Sequence, residues 1–138
     1  MAEKVEFELV SPERLVISEP VEMVVVPGAE GDFGALPHHA PMITSVRPGV
    51  IDIYQSGVVA DRIFVAGGFA EVNETRVTVL AEEAIKLADL RQDDVAARIK
   101  AAEEAVEEAD SELARGLAQK SLKIAQAMQA ALNQGPAH

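Results

Sequence analysis

The amino-acid sequence predicts an all-β domain, a sandwich or barrel, followed by an α-helical region, and three observations lead there. Residues 1–86 hold six of the seven prolines, seven of the nine glycines and every aromatic side chain (Phe7, Phe33, Tyr54, Phe64 and Phe69). Within that half, apolar and polar residues alternate with the period of two that gives a strand one buried and one wet face. Residues 87–138 are instead rich in Ala, Glu, Lys, Gln and Leu, strong helix formers, with Pro136 as their single proline. A β domain is therefore expected over 1–86 and a helical region over 87–138.

The elements follow in order. Val5, Phe7 and Leu9 interleave with Glu6 and Glu8, and Ile51 with Ile53 and Val77 with Val79 repeat the pattern. Further β-rich runs lie at Leu15–Ile17, Val21–Val26, Ile43–Val46, Val58–Val59, Arg62–Ala66 and Phe69–Val72, punctuated by Pro and Gly. Many short strands at such spacing indicate a sandwich or barrel. Gly28 to Gly34 reads as turns, and Gly67-Gly68 as a tight hairpin in which positive φ is needed.

In the second half, Asp89 and Gln92 resemble a capping box, and Val95, Ile99, Ala102, Val106 and Ala109 form one apolar stripe. Leu113, Leu117, Ile124, Met128 and Leu132 form a second, closed by Gly135-Pro136. Between them Asp110 and Ser111 are candidate N-caps, without a Gly or Pro to force a break, so a hairpin and one long helix are both writable. An Ala-rich stripe buries little area, so the helices are expected to hold weakly and to open for a partner offering a better surface.

Composition excludes several functions. With 12 Lys plus Arg against 23 Asp plus Glu, a net charge of −11 repels nucleic-acid phosphates and anionic lipid alike. No apolar run approaches the roughly 20 residues of a membrane-spanning helix. Zero Cys removes disulfides, thiolate nucleophiles and Cys-ligated zinc, and favours a reducing compartment. The opening Met1-Ala-Glu-Lys-Val-Glu-Phe7 lacks an apolar core and reads as mature chain rather than signal peptide.

No catalytic constellation emerges either. His38-His39 point to opposite faces of an extended segment and lack a nearby third ligand for zinc. None of Ser11, Ser18, Ser45, Ser56, Ser111 and Ser121 sits in a nucleophile-elbow pattern. Glu82-Glu83 and Asp93-Asp94 read as solvated faces, and the Gly-rich loop lacks the Gly-Lys-Ser/Thr end of a phosphate cradle. No catalytic residue, metal or cofactor is expected.

Four segments in order then carry a resemblance: Val24-Val-Val-Pro-Gly-Ala-Glu-Gly-Asp-Phe-Gly-Ala-Leu-Pro-His-His-Ala-Pro41, Arg47-Pro-Gly-Val50, Phe64-Val-Ala-Gly-Gly-Phe-Ala-Glu-Val72, and Val77-Thr-Val-Leu80 with Ala81-Glu-Glu-Ala84. Over nearly its whole length the chain resembles the epsilon subunit of bacterial F-type ATP synthase. The resemblance implies an all-β sandwich over 1–86, an α-helical hairpin of two antiparallel helices over 87–138, and a non-catalytic central-stalk subunit. Such a subunit joins gamma to the c ring, turns with them, and sits peripherally on the cytoplasmic side of the inner membrane. It implies a c-ring contact for Asp32 and gamma contacts for Ser11, His39, Pro41 and Thr44. It also implies that Arg115, Lys120 and Lys123 meet the alpha and beta subunits when the tail extends to brake ATP hydrolysis.

Some relatives bind ATP through an Ile/Leu-Asp-x-x-Arg-Ala pattern. Anchored on Arg98, that register puts Val95 where Asp is required and Ile99 where Ala is required, so ATP binding is not expected. Basic residues are also few on the helices, and weak or absent inhibition is expected. The rival class is a stand-alone ligand-binding β domain with a coiled-coil dimerisation tail, followed by a small β hydrolase that lacks a nucleophile.

Overall fold

The computed structural model describes residues 3–134. Its strands are β1 (Val5–Ser11), β2 (Arg14–Val21), β3 (Met23–Gly28), β4 (Gly31–Ala35), β5 (Met42–Val46), β6 (Gly49–Gln55), β7 (Val58–Val65), β8 (Gly68–Val72), β9 (Arg76–Ala81) and β10 (Ala84–Lys86). A single 3-10 turn at Leu87–Asp89 leads to helices α1 (Gln92–Glu108) and α2 (Glu112–Asn133).

The strands pair in the order β10-β7-β6-β3-β5-β8-β9-β1-β2, with β4 on the other edge of β3. All ladders are antiparallel except β1 beside β9. The sheet folds over at β3–β5, where Gly28 opposes Val46, so its two ends form facing leaves. At the opposite rim the Glu22 N–H donates to Tyr54 O at 3.1 Å and Gln55 Nε2 to Pro20 O at 2.9 Å, stitching β2 to β6. Between the leaves Val5, Phe7, Leu9, Val77 and Val79 pack with Ile51, Ile53, Ile63 and Val65 in one buried cluster. All of these except Ile63 and Val65, which lie in the β-rich run Arg62–Ala66, are residues that the alternation placed on one face.

A second cluster lies outside the sandwich. Val50, Phe64, Ala66 and Ile85 on the outer face of the β6–β7–β10 leaf meet Val95 of α1 and Ile124, Met128 and Ala131 of α2. The hairpin thus lies on one leaf. Its two helices meet through small residues, with Ala102 and Ala118 buried, and each buried methyl adds only about 0.8 kcal/mol.

The hairpin, rather than one long helix, follows from charge and capping. Ser111 is the N-cap of α2, its Oγ accepting the Ala114 N–H at 3.0 Å. A continuous helix would stack Glu104, Glu108 and Glu112 as like charges one turn apart, whereas the break places Glu112 at a favourable helix N-terminus.

Several expectations are corrected. Gly31–Ala35 is a strand hairpinned onto β3, not a turn, because the tight bend is confined to Gly28–Gly31. The run Val21–Val26 breaks at Glu22 into two strands. Gly67 (φ 120°) and Gly68 (φ 141°) do require positive φ, yet they are no hairpin: they carry the chain from β7 in one leaf to β8 in the other. Asp89 caps nothing; α1 starts at Gln92 after Arg91, without a side-chain cap. Leu113 and Leu117 are exposed, since the inner face of α2 there is Ala114 and Ala118. Gly135 and Pro136 lie outside the described residues.

Candidate functional site

Asp32 stands on β4 opposite Pro27, at the end of the sandwich where the leaves join. Arg47, just beyond β5, donates through Nη1 to Gly28 O at 2.5 Å and through Nη2 to Asp32 Oδ1 at 2.5 Å. Its own N–H donates to Pro27 O at 2.9 Å, which fixes the base of that side chain. Asp32 is therefore already paired within the chain while remaining largely exposed, and an incoming arginine would share it rather than find it free.

His39 and Pro41 sit at the other end of β5, some five residues or about 16 Å away. His38 adopts a left-handed conformation (φ 69°), its N–H donating to Glu74 O at 2.7 Å and its Nε2 lying 2.5 Å from Glu3 Oε2. His39 Nδ1–H donates to Ala40 O at 2.6 Å. The two histidines thus have separate partners, and no group of metal-ligating side chains forms among the described residues.

Thr44 opposes Ala70 on β8 and belongs to the inward register of β5, half-buried at the sheet edge. Ser11 lies at the far end of β1, its Oγ donating to Arg14 O at 3.4 Å. Three strand spacings, roughly 14 Å, separate β1 from β5. The structure brings His39, Pro41 and Thr44 together and leaves Ser11 at the opposite corner of the same leaf.

Between those corners is a surface that the sequence reading did not identify. Pairing aligns Ser45, Phe69, Leu80, Val10 and Leu15 across β5, β8, β9, β1 and β2 in one outward row. Phe69, Leu80 and Leu15 are each more than half exposed, and Ile43 in the adjacent row is 74% exposed. That adjacent row continues with Glu71, Thr78 and Glu8, the last ion-paired with Arg76. An apolar row beside an acidic one is a surface suited to a protein partner. The alternation in Phe69-Ala-Glu-Val72 carried the signal, but it also permitted the opposite choice of buried face.

On the tail, Arg115 and Lys123 are exposed, while Lys120 Nζ lies 3.2 Å from Glu82 Oε1. Next to it, Arg98 of α1 grips Glu83 with both terminal nitrogens, at 2.8 and 3.1 Å. The hydrogen bond to Glu83 holds the Arg98 guanidinium above its ordinary pKa, against a smaller opposing effect of burial. Glu82 and Glu83 are therefore not merely a solvated face. At the end of α2, Arg62 bridges Asp52 Oδ1 (3.0 Å) and Gln134 Oε1 (2.8 Å) beside a cavity of about 220 Å³ that also borders Asp32 and Arg47.

This geometry has relatives. Residues 4–87 match the family of the ATP synthase delta/epsilon chain β-sandwich domain. The ATP synthase epsilon chain of Paramagnetospirillum magneticum is 60% identical over 132 residues, covering 96% of this chain and 99% of that one. That of Rhodospirillum rubrum is 60% identical over 131 residues, covering 95% and 98%. A chain in the cryo-EM structure of Euglena gracilis mitochondrial ATP synthase (OSCP/F1/c-ring) superposes with a TM-score of 0.79 at 25% identity, covering 94% of this chain and 82% of its own. A chain of the Tetrahymena thermophila mitochondrial ATP synthase central stalk/c-ring shares the fold, with a TM-score of 0.70 at 12% identity, covering 95% and 98%. With the sandwich, both helices and nearly the full length matched, the chain belongs to the ATP synthase epsilon chain family.

Proposed function

We propose that this chain acts as a rotor subunit of a proton-translocating F-type ATP synthase on the cytoplasmic side of a bacterial inner membrane. Residues 1–86 grip gamma and the c ring, and residues 87–138 form a regulatory hairpin. The observation that carries this reading is the unequal covering of the sandwich. One outer face is sealed by the chain's own helices, while the other presents Ile43, Phe69, Leu80 and Leu15 to solvent. Such an apolar face, bordered by the residues implied for gamma (Ser11, His39, Pro41 and Thr44), fits a permanent protein interface. The stiff strand-to-strand core beneath it suits a clamp that transmits torque without deforming.

Asp32 with Arg47 marks the end proposed to face the c ring, where an exposed carboxylate oriented by an internal guanidinium receives a polar loop. Arg115, Lys120 and Lys123 are the candidates for meeting alpha and beta subunits from an extended tail. No described helix is long and apolar enough to cross a membrane.

The test is size-exclusion chromatography of the chain with gamma, comparing wild type with Phe69→Glu, Leu80→Glu and Asp32→Ala. A one-to-one complex is expected, lost in the two face variants and kept in Asp32→Ala, which instead weakens recovery of the c ring. A homodimer through the tail with no gamma complex would overturn the reading in favour of the ligand-binding alternative.

A further inference from the structure

We propose that Glu82 and Glu83 form a two-pronged latch that sets whether the helical hairpin stays on the sandwich, one carboxylate holding each helix. The inference deepens the regulatory part of the function proposed above and rests on it. Adjacent residues on the β9–β10 turn reach different helices: Glu83 takes both terminal nitrogens of Arg98 from α1, and Glu82 takes Lys120 from α2. A hairpin able to slide or hinge must break both.

The turn that carries them is fixed. The Glu82 N–H donates to Gly67 O at 3.0 Å and the Ala66 N–H to Glu83 O at 2.9 Å, tying the turn to the link between β7 and β8. The carboxylates are thus mounted on the rigid sandwich, and the cations on the movable hairpin. Fork-to-fork pairing of Arg98 with Glu83 is directional as well as attractive, so it holds register and not merely proximity.

The latch adds direction to a seat that is otherwise an apolar patch under Phe64 and one hydrogen bond from Arg62 to Gln134. Val95, Ile124, Met128 and Ala131 are the buried hairpin residues in the outer cluster. Sandwich and hairpin both carry an acidic excess, so their long-range interaction is repulsive and attraction is confined to local pairs. Lys120 gains a second meaning from this. Docked, it is held by Glu82; undocked, its charge is available to another acidic surface. The two uses exclude each other, so a partner that captures Lys120 must first outcompete the chain's own carboxylate.

The chain has no cysteine, which allows a direct test on the full-length protein. Spin labels at Ser18→Cys on β2 and Gln129→Cys on α2 report the sandwich-to-tail distance by pulsed EPR. Wild type should give one narrow distribution at the docked distance across the sandwich. Glu83→Arg and Arg98→Glu should each raise the long-distance fraction about three- to fivefold, the scale of one well-made partly exposed ion pair. The reversed pair Glu83→Arg with Arg98→Glu should bring it back. Single variants with the wild-type distribution, or a double variant as open as the singles, would overturn the latch. Gamma capture is measured on the same samples. Single variants whose distance is unchanged while gamma capture is intact remove the latch alone, and single variants that open as expected beside a wild type that captures no gamma remove the rotor reading alone.

Discussion

The two outer faces of the sandwich are built from the same kind of strand and end in opposite states. On the β6–β7–β10 leaf, Phe64 is fully buried beneath Val95, Met128 and their neighbours. On the β5–β8–β9–β1–β2 leaf, Phe69 is 59% exposed although it lies only five residues further along the chain. The Gly67-Gly68 link changes leaf between them. The contrast teaches that outward apolar residues here are of two kinds: those covered by the chain itself, which support folding, and those left for another chain, which support assembly.

The largest expected effect breaks the covered face. Phe64→Ala should lose about 3–5 kcal/mol in urea denaturation, because a full aromatic volume is deleted at the junction of sheet and helices. A loss no larger than that of Phe69→Ala would mean that the helices add no effective cover. Next comes the link itself. A Cβ at Gly68 would lie 2.0 Å from Leu80 O, and φ is 141°, so Gly68→Ala meets both a backbone clash and an unfavourable conformation. Its expected cost is about 2–3 kcal/mol in the same measurement.

The open face should behave in the reverse sense. Phe69→Ala and Leu80→Ala should leave stability within about 0.5 kcal/mol of wild type, as exposed substitutions do. Each should weaken gamma binding about tenfold or more in titration calorimetry, if Phe69 and Leu80 anchor the interface. Equal losses of stability and binding would show that the row belongs to the fold and not to a partner.

Legibility in the sequence follows the same division. The inner face was readable because Val5, Phe7, Leu9, Ile51, Ile53, Val77 and Val79 alternate with polar residues, and burial selects the apolar set. Ser111 was readable as a cap because a hydroxyl at a helix start has a local partner. The outer faces were not, since alternation tells which residues share a side and not what covers it. In β8, Phe69 with Glu71 and Ala70 with Val72 are both plausible inner pairs, and only the pairing to β5 and β9 decides. Arg47 with Asp32, and Arg98 with Glu83, each span 15 residues, a distance at which nothing local marks a partner. The stripe beginning at Leu113 and Leu117 misled there because the two helices approach through alanines, and the larger leucines are turned aside.

The smallest effect sharpens a comparison within α2. Its C-terminal half, from Ile124 to Ala131, sits on the sandwich, whereas near its start Leu113 and Leu117 are exposed and the inward contacts are with α1. Gly116 falls in that second region, and a Cβ there would meet nothing within 4 Å. Gly116→Ala should therefore stabilise α2 by about 0.5–1 kcal/mol through reduced backbone entropy alone. Where that gain appears tells how the hairpin unfolds. If helices and sandwich melt as one unit, every probe shifts by the same free energy. If the first half of α2 opens by itself, hydrogen exchange slows at residues 113–121 while the strands of the sandwich exchange as before. The second result is expected, because apart from the exposed Lys120–Glu82 pair near its end this stretch is covered mainly by a seam of alanine methyls against α1, too little to bind its opening to that of the β core.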